Sequence, residues 1–157
     1  MRWLIVAIIF IFAGCATKQP TWTKPALIVW KSKGIKFADS GFVRKTGSGV
    51  ELEIYEAGTA LFRLKVAKRI CTDRGCMSAK AFNERFLSPY YPDQLIRNIL
   101  LARPIFDGKN LIKTEDGFIQ KIKSDHLDII YKINNTRSIF FKDRLNYILI
   151  KIKELDG

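Results

Sequence analysis

From Ala26 onward, apolar side chains recur at every second position in one short run after another. Successive side chains of an extended chain point to opposite faces, so this period belongs to strands with one apolar and one wet face. Ala26, Ile28 and Trp30 alternate with Leu27, Val29 and Lys31, and a second stretch follows around residues 34–37. Residues 41–45 (GFVRK) and 50–55 (VELEIY) flank Thr46-Gly47-Ser48-Gly49, a hairpin turn sequence. Val50, Leu52 and Ile54 share one face of the second run, with Glu51 and Glu53 on the other. Past the turn Glu56-Ala57-Gly58-Thr59, the residues Ala60, Phe62, Leu64 and Val66 alternate with Arg63 and Lys65. When these two runs pair as a hairpin their apolar faces coincide, because a one-residue slip would put one of them in water.

The middle of the chain changes period. Ser78 suits the cap of a helix of about two turns through Phe82, Phe86 and Leu87. Ser88-Pro89-Tyr90-Tyr91 breaks it, Pro92 suits a first helical position, and Leu95, Ile96, Ile99 and Leu100 form an apolar stripe ending near Pro104. Strand patterns return at residues 118–123, 127–133, 138–142 and 147–153. Strands, two helices, then strands predicts an α+β domain over residues 26–157, with short helices laid against one face of an antiparallel sheet.

What precedes that domain sets the compartment. Met1-Arg2 is a short positive start, residues 3–12 (WLIVAIIFIF) are unbroken apolar, and Ala13-Gly14-Cys15 follows. The run falls short of the roughly 20 residues that span a bilayer. It matches the hydrophobic region of a secretory signal over residues 1–14. Small residues directly before a cysteine resemble the lipobox of bacterial lipoproteins, which implies acylation of Cys15. A plain signal peptide or an uncleaved anchor is the alternative. By resemblance to bacterial sorting rules, Ala16 after the cysteine implies the periplasmic face of the outer membrane. Residues 16–25 (ATKQPTWTKP) are polar with two prolines, so residues 15–25 read as a tether.

The charge balance, 27 Lys+Arg against 15 Asp+Glu for a formal +12, calls for an anionic partner. Export argues against nucleic acid. The basic residues are scattered between apolar positions; they read as a solvated sheet face, or as a positive rim meeting lipid phosphates or an acidic carrier. No pattern points to catalysis. Gly47-Ser48-Gly49 is followed by a strand and not by the helix a phosphate loop needs. His126 has no sequence partner for a triad, and Glu51, Glu53 and Glu56 recur on a solvent face. The chain is therefore expected to be no enzyme and to need no cofactor or metal. Cys71 and Cys76 enclose the turn Thr72-Asp73-Arg74-Gly75. Cysteines opposed across a tight hairpin can meet disulfide distance limits and export supplies oxidising conditions, so a disulfide is expected. Two free thiols are the alternative.

Three segments together resemble LolB, the family of outer-membrane receptors that accept lipoproteins from a periplasmic carrier. The first is residues 41–66, where VELEIY, the loop EAGTA and LFRLKV follow the family's order and spacing. The second is the helical middle, bracketed by Pro92 and Pro104 with Ile96 and Leu100 on its apolar positions. The third is Asp116-Gly117-Phe118-Ile119-Gln120, then Ile129-Ile130-Tyr131 and the closing strand Ile148-Leu149-Ile150-Lys151-Ile152. The resemblance implies a LolA/LolB-like half-open barrel whose concave face, covered by helices, binds acyl chains. The lining would be Val50, Leu52, Ile54, Phe62, Leu64, Val66, Ile129 and Tyr131. It also implies a membrane and cargo loop at Glu56, Ala57 and Gly58, and an acidic, LolA-like periplasmic carrier as partner. The family often carries a bulky apolar residue where Ala57 stands, and Trp and Gly where Ile99 and Ala102 stand. A docking module in an envelope complex is the alternative use of such a fold.

Overall fold

The computed structural model describes residues 20–135 and 138–156. Cys15, the signal segment 1–14 and most of the tether lie outside the described residues. Six strands come first: β1 (Trp22–Ser32), β2 (Ile35–Lys45), β3 (Val50–Glu56), β4 (Thr59–Val66), β5 (Ile70–Thr72) and β6 (Gly75–Met77). Two helices follow, α1 (Ala79–Phe86) and α2 (Leu95–Leu100). Five more strands complete the chain: β7 (Leu111–Thr114), β8 (Gly117–Lys123), β9 (Asp128–Asn134), β10 (Ile139–Asp143) and β11 (Ile148–Glu154).

All of these strands belong to one antiparallel sheet in the order β6-β5-β4-β3-β2-β1-β11-β10-β9-β8-β7. Two meanders are thus joined where the last strand pairs with the first, Ile28 opposite Ile152 and Trp30 opposite Ile150. The sheet stays open, with β6 and β7 as its edges. Alternation buries one face of it: Ala26, Ile28, Trp30, Val50, Ile150 and Tyr131 all reach 0% exposure. Phe82 and Phe86 of α1 and Leu95, Ile96, Ile99 and Leu100 of α2 pack into the same core. This is the α+β layering expected when an amphipathic sheet buries its apolar face under helices.

Local chemistry explains the element ends. Ser78 Oγ accepts from the Ala81 N–H at 3.1 Å, satisfying one of the unpaired donors at the start of α1. The β3–β4 loop is only Ala57-Gly58, both at positive φ (48° and 80°), the geometry that matches hairpin twist. Gly41 lies inside β2, where a Cβ would stand 2.0 Å from the Glu53 carbonyl oxygen. Only glycine fits there.

The structure differs from the sequence reading in four places. β1 begins at Trp22, inside the expected tether, because residues 22–25 pair with residues 42–45 of β2. Pro25 has no N–H to donate, and its carbonyl accepts from Leu155 N–H just past the last β1–β11 pair. β2 is a single strand through Asp39-Ser40-Gly41, a polar stretch that reads as a break. Pro92 stands ahead of α2, its carbonyl accepting from Leu95 N–H in a preceding turn. The short strands β5, β6 and β7 carry too few residues to show a period.

Candidate functional site

The β3–β4 hairpin brings the six expected lining residues of these strands onto one face. Val50 lies opposite Val66, Leu52 opposite Leu64 and Ile54 opposite Phe62, with a register shift only beyond Ile54. Ile129 and Tyr131 on β9 share the same buried core. The centre of that face is filled rather than open, since α1 and α2 rest on it. Leu52 and Ile54 are fully buried, and Leu64 is 1% exposed. Of the eight expected lining residues, Phe62 alone is half-buried and borders open space on this side.

That space is a cavity of about 220 Å³ at one rim of the sheet, where the cover of α1 ends. Ile35 and Phe37 at the start of β2, Leu61 and Phe62 near the start of β4, and Phe86 at the end of α1 form its walls. Phe37 and Phe62 meet with ring centroids 4.8 Å apart. The turn Thr72-Asp73-Arg74 supplies a polar lip. Aromatic walls with a few polar groups at the mouth are the usual make-up of a ligand pocket. A second cavity of about 390 Å³ opens at the opposite rim, between Trp22, Val43, Leu101, Ile133 and Ile139, with Glu154 at its edge. Both lie on the helix side of the sheet.

The expected cargo loop, Glu56, Ala57 and Gly58, is exposed at the tip of the hairpin that carries Phe62. Ala57 offers one methyl group there, while Leu61, four residues on, is 47% exposed and lines the first cavity. The outward carboxylates of β3 are paired. Glu51 meets Lys65 at 3.0 Å, and Glu53 binds Arg44, Arg63 and the Tyr55 hydroxyl. Burial alone would raise the Glu53 pKa, but Arg44, Tyr55 and Arg63 outweigh it and hold the carboxyl below its ordinary value. His126 sits in an exposed turn, stacked on Tyr90 at 3.9 Å between centroids. Cys71 and Cys76 lie opposite each other across the β5–β6 hairpin and form a disulfide. No group of three or more His, Cys, Asp or Glu poised for a metal occurs among the described residues.

Two buried polar residues away from the cavity walls escape sequence reading. Gln120 is fully buried on β8 and clamps the segment after α2. Its side chain accepts from Ile105 N–H at 2.8 Å and donates to the carbonyls of Ile105 and Lys109. That segment holds Ala102, Phe106, Asp107 and Asn110 at positive φ, a conformation ordinary side chains avoid. Tyr131 adds a hydrogen bond to the Arg103 carbonyl, and burial pushes its hydroxyl pKa up. Asp143, also fully buried, accepts from the Tyr91 hydroxyl at 2.7 Å and from Asp128, Leu145 and Asn146 backbone N–H groups. A polar residue on the inward beat of an otherwise apolar strand, as Gln120 is in Phe118-Gln120-Ile122, is the sequence signal for such a clamp.

No family model matches this chain, and no curated protein is similar to it at a significant level.

Proposed function

We propose that this protein is an envelope lipoprotein built on a LolA/LolB-like half-barrel. Acylated Cys15 would hold it at the periplasmic face of the outer membrane, and it would take acyl chains of lipoproteins between sheet and helices. One observation carries the reading: helices cover one face of an open sheet and leave an aromatic-walled cavity at the rim, beside Phe37, Phe62 and Phe86. Each methylene transferred from water into such a space contributes about 0.8 kcal/mol, so binding needs no covalent chemistry. The centre of the face is packed, so a chain enters at the rim and extends inward as α1 shifts. Phe82 and Phe86 are the side chains that make way. An acidic, LolA-like carrier is the proposed source of cargo.

The test is Phe62→Glu, chosen because Phe62 is half-buried and its loss spares the packed centre. A carboxylate at the mouth costs several kcal/mol against hydrocarbon. Affinity for a fluorescent lipopeptide should fall at least tenfold, which takes only about 1.4 kcal/mol. Circular dichroism and melting are followed beside it. A folded variant with unaltered affinity sinks the proposal.

A docking module is the second reading, and a specific feature favours it. Tyr90, Leu145 and Tyr147 are exposed large hydrophobics, Tyr147 at 89%, while the sheet centre is filled. Loss of lipopeptide binding in Phe62→Glu decides for the first reading, and absence of any lipopeptide binding by the native protein decides for the second.

A further inference from the structure

The strand register sorts the scattered lysines onto the face of the sheet that the helices leave uncovered. One row across that outer face runs Lys121, Ile130, Lys142, Leu149, Lys31, Lys36, each opposite the next on neighbouring strands. The row beside it runs Ile119, Lys132, Phe140, Lys151, Val29, Ala38. Lys153, opposite Leu27, continues the pattern. The lysines named are all exposed, and the apolar residues between them are mostly half-buried. The two rows cross β8, β9, β10, β11, β1 and β2, six strands at ~4.8 Å spacing, so the surface is roughly 25 Å wide.

These lysines are left without acidic partners. Among the described residues none of Lys31, Lys36, Lys121, Lys132, Lys142, Lys151 and Lys153 takes part in an ion pair. The adjoining outer face of β2–β4 differs, since Arg44, Arg63 and Lys65 are each paired there with Glu51 or Glu53. Holding like charges together without counter-charges raises the energy of the folded state, and an anionic partner lowers it again.

We propose that this outer face lies against an anionic phospholipid surface. Charge is the first reason. The second is residue type: the two rows use lysine and no arginine, the Arg144–Asp128 ion pair lying just beyond them. Lysine is a flexible point charge suited to many diffuse phosphates. The aliphatic and aromatic residues between the lysines suit the boundary between headgroups and acyl chains. Position is the third reason. β1 starts at Trp22, so residues 15–21 connect its start to Cys15, and fully extended they reach at most about 25 Å. Leu27, Lys153 and Val29 lie near that same stretch of β1. An acyl anchor at Cys15 and a basic face within its reach are two membrane signals on one chain, the combination that makes attachment stable. This surface is separate from the rim cavities, so the proposal stands apart from acyl-chain acceptance.

The experiment uses the full-length protein in phosphatidylcholine vesicles with and without phosphatidylglycerol. Lysine labelling by an amine-reactive reagent is read by mass spectrometry. Phosphatidylglycerol should slow labelling of the outer-face lysines severalfold and leave Lys33, Lys68 and Lys80 unchanged, and high salt should reverse the protection. Replacing Lys121, Lys142 and Lys151 with Gln should speed transfer between anionic vesicles about a hundredfold at low salt, near fivefold per lysine. The intact mass reports acylation separately, so a missing anchor is not mistaken for a failed surface. Equal labelling in both vesicles overturns the proposal. So does protection that appears only when an acidic protein is added, which would assign the face to a protein partner.

Discussion

Glu53 shows how a carboxylate on the wet side of a sheet still acquires structure. Its neighbours are set by register: Arg44 precedes it diagonally on β2 and Arg63 lies directly opposite on β4. Because the folded pKa is lowered, its stabilisation is present above the unfolded value and is lost as pH falls through the folded one. Glu53→Gln should therefore melt below the native protein at neutral pH. The gap should start to close as pH drops beneath about 4, where the unfolded carboxylate protonates first, and vanish once the folded one does too. Parallel melting-temperature profiles for the two proteins across this range would show that Glu53 makes no linked contribution. Asp143 lies on the opposite, buried side, where Tyr91, Asn146 and backbone N–H groups surround it. Burial and the Asp143 carboxylate together push the Tyr91 pKa upward, keeping that hydroxyl a donor.

Among the elements, the β5–β6 hairpin is the weakest by length, three residues a strand at an open edge of the sheet. Strands that short bury little: Ile70 alone is a core residue here. The Cys71–Cys76 disulfide compensates by closing a small loop, worth about 2 kcal/mol in the chain-entropy model. Replacing both cysteines with serine should lower the melting temperature by roughly 4–8 °C. It should also speed hydrogen exchange in β5 and β6 first, since an edge hairpin opens before the centre does. Unchanged exchange there would mean that the sheet holds the hairpin without the bond. The segment between α2 and β7 is held differently, by the Gln120 clamp and by Asn98 and Asn110, which donate to the Pro104 and Lys121 carbonyls.

At the scale of the whole molecule, the chain's orientation follows from where it enters the sheet. The start of β1 borders the larger rim cavity through Trp22, while the aromatic cavity opens at the other rim. In the arrangement proposed above, an anchor at Cys15 would leave the aromatic mouth at the rim away from the attachment point. Cys15→Ala should abolish incorporation of radiolabelled palmitate and release the protein from the outer-membrane fraction. Undiminished label in that variant would end the lipoprotein reading. Much of this architecture is legible in period and turn chemistry. Val50, Leu52 and Ile54 announce their face, Ser78 its helix, and Cys71 and Cys76 their hairpin, because each depends on neighbours a few residues away. The chain by itself determined strands, faces and caps. The tertiary structure alone decided that β1 pairs with β11, that helices fill the centre of the apolar face, and that seven lysines from six strands share one surface. Alternation tells a side chain which way to point, but which strand becomes its neighbour depends on long-range burial that no local pattern encodes.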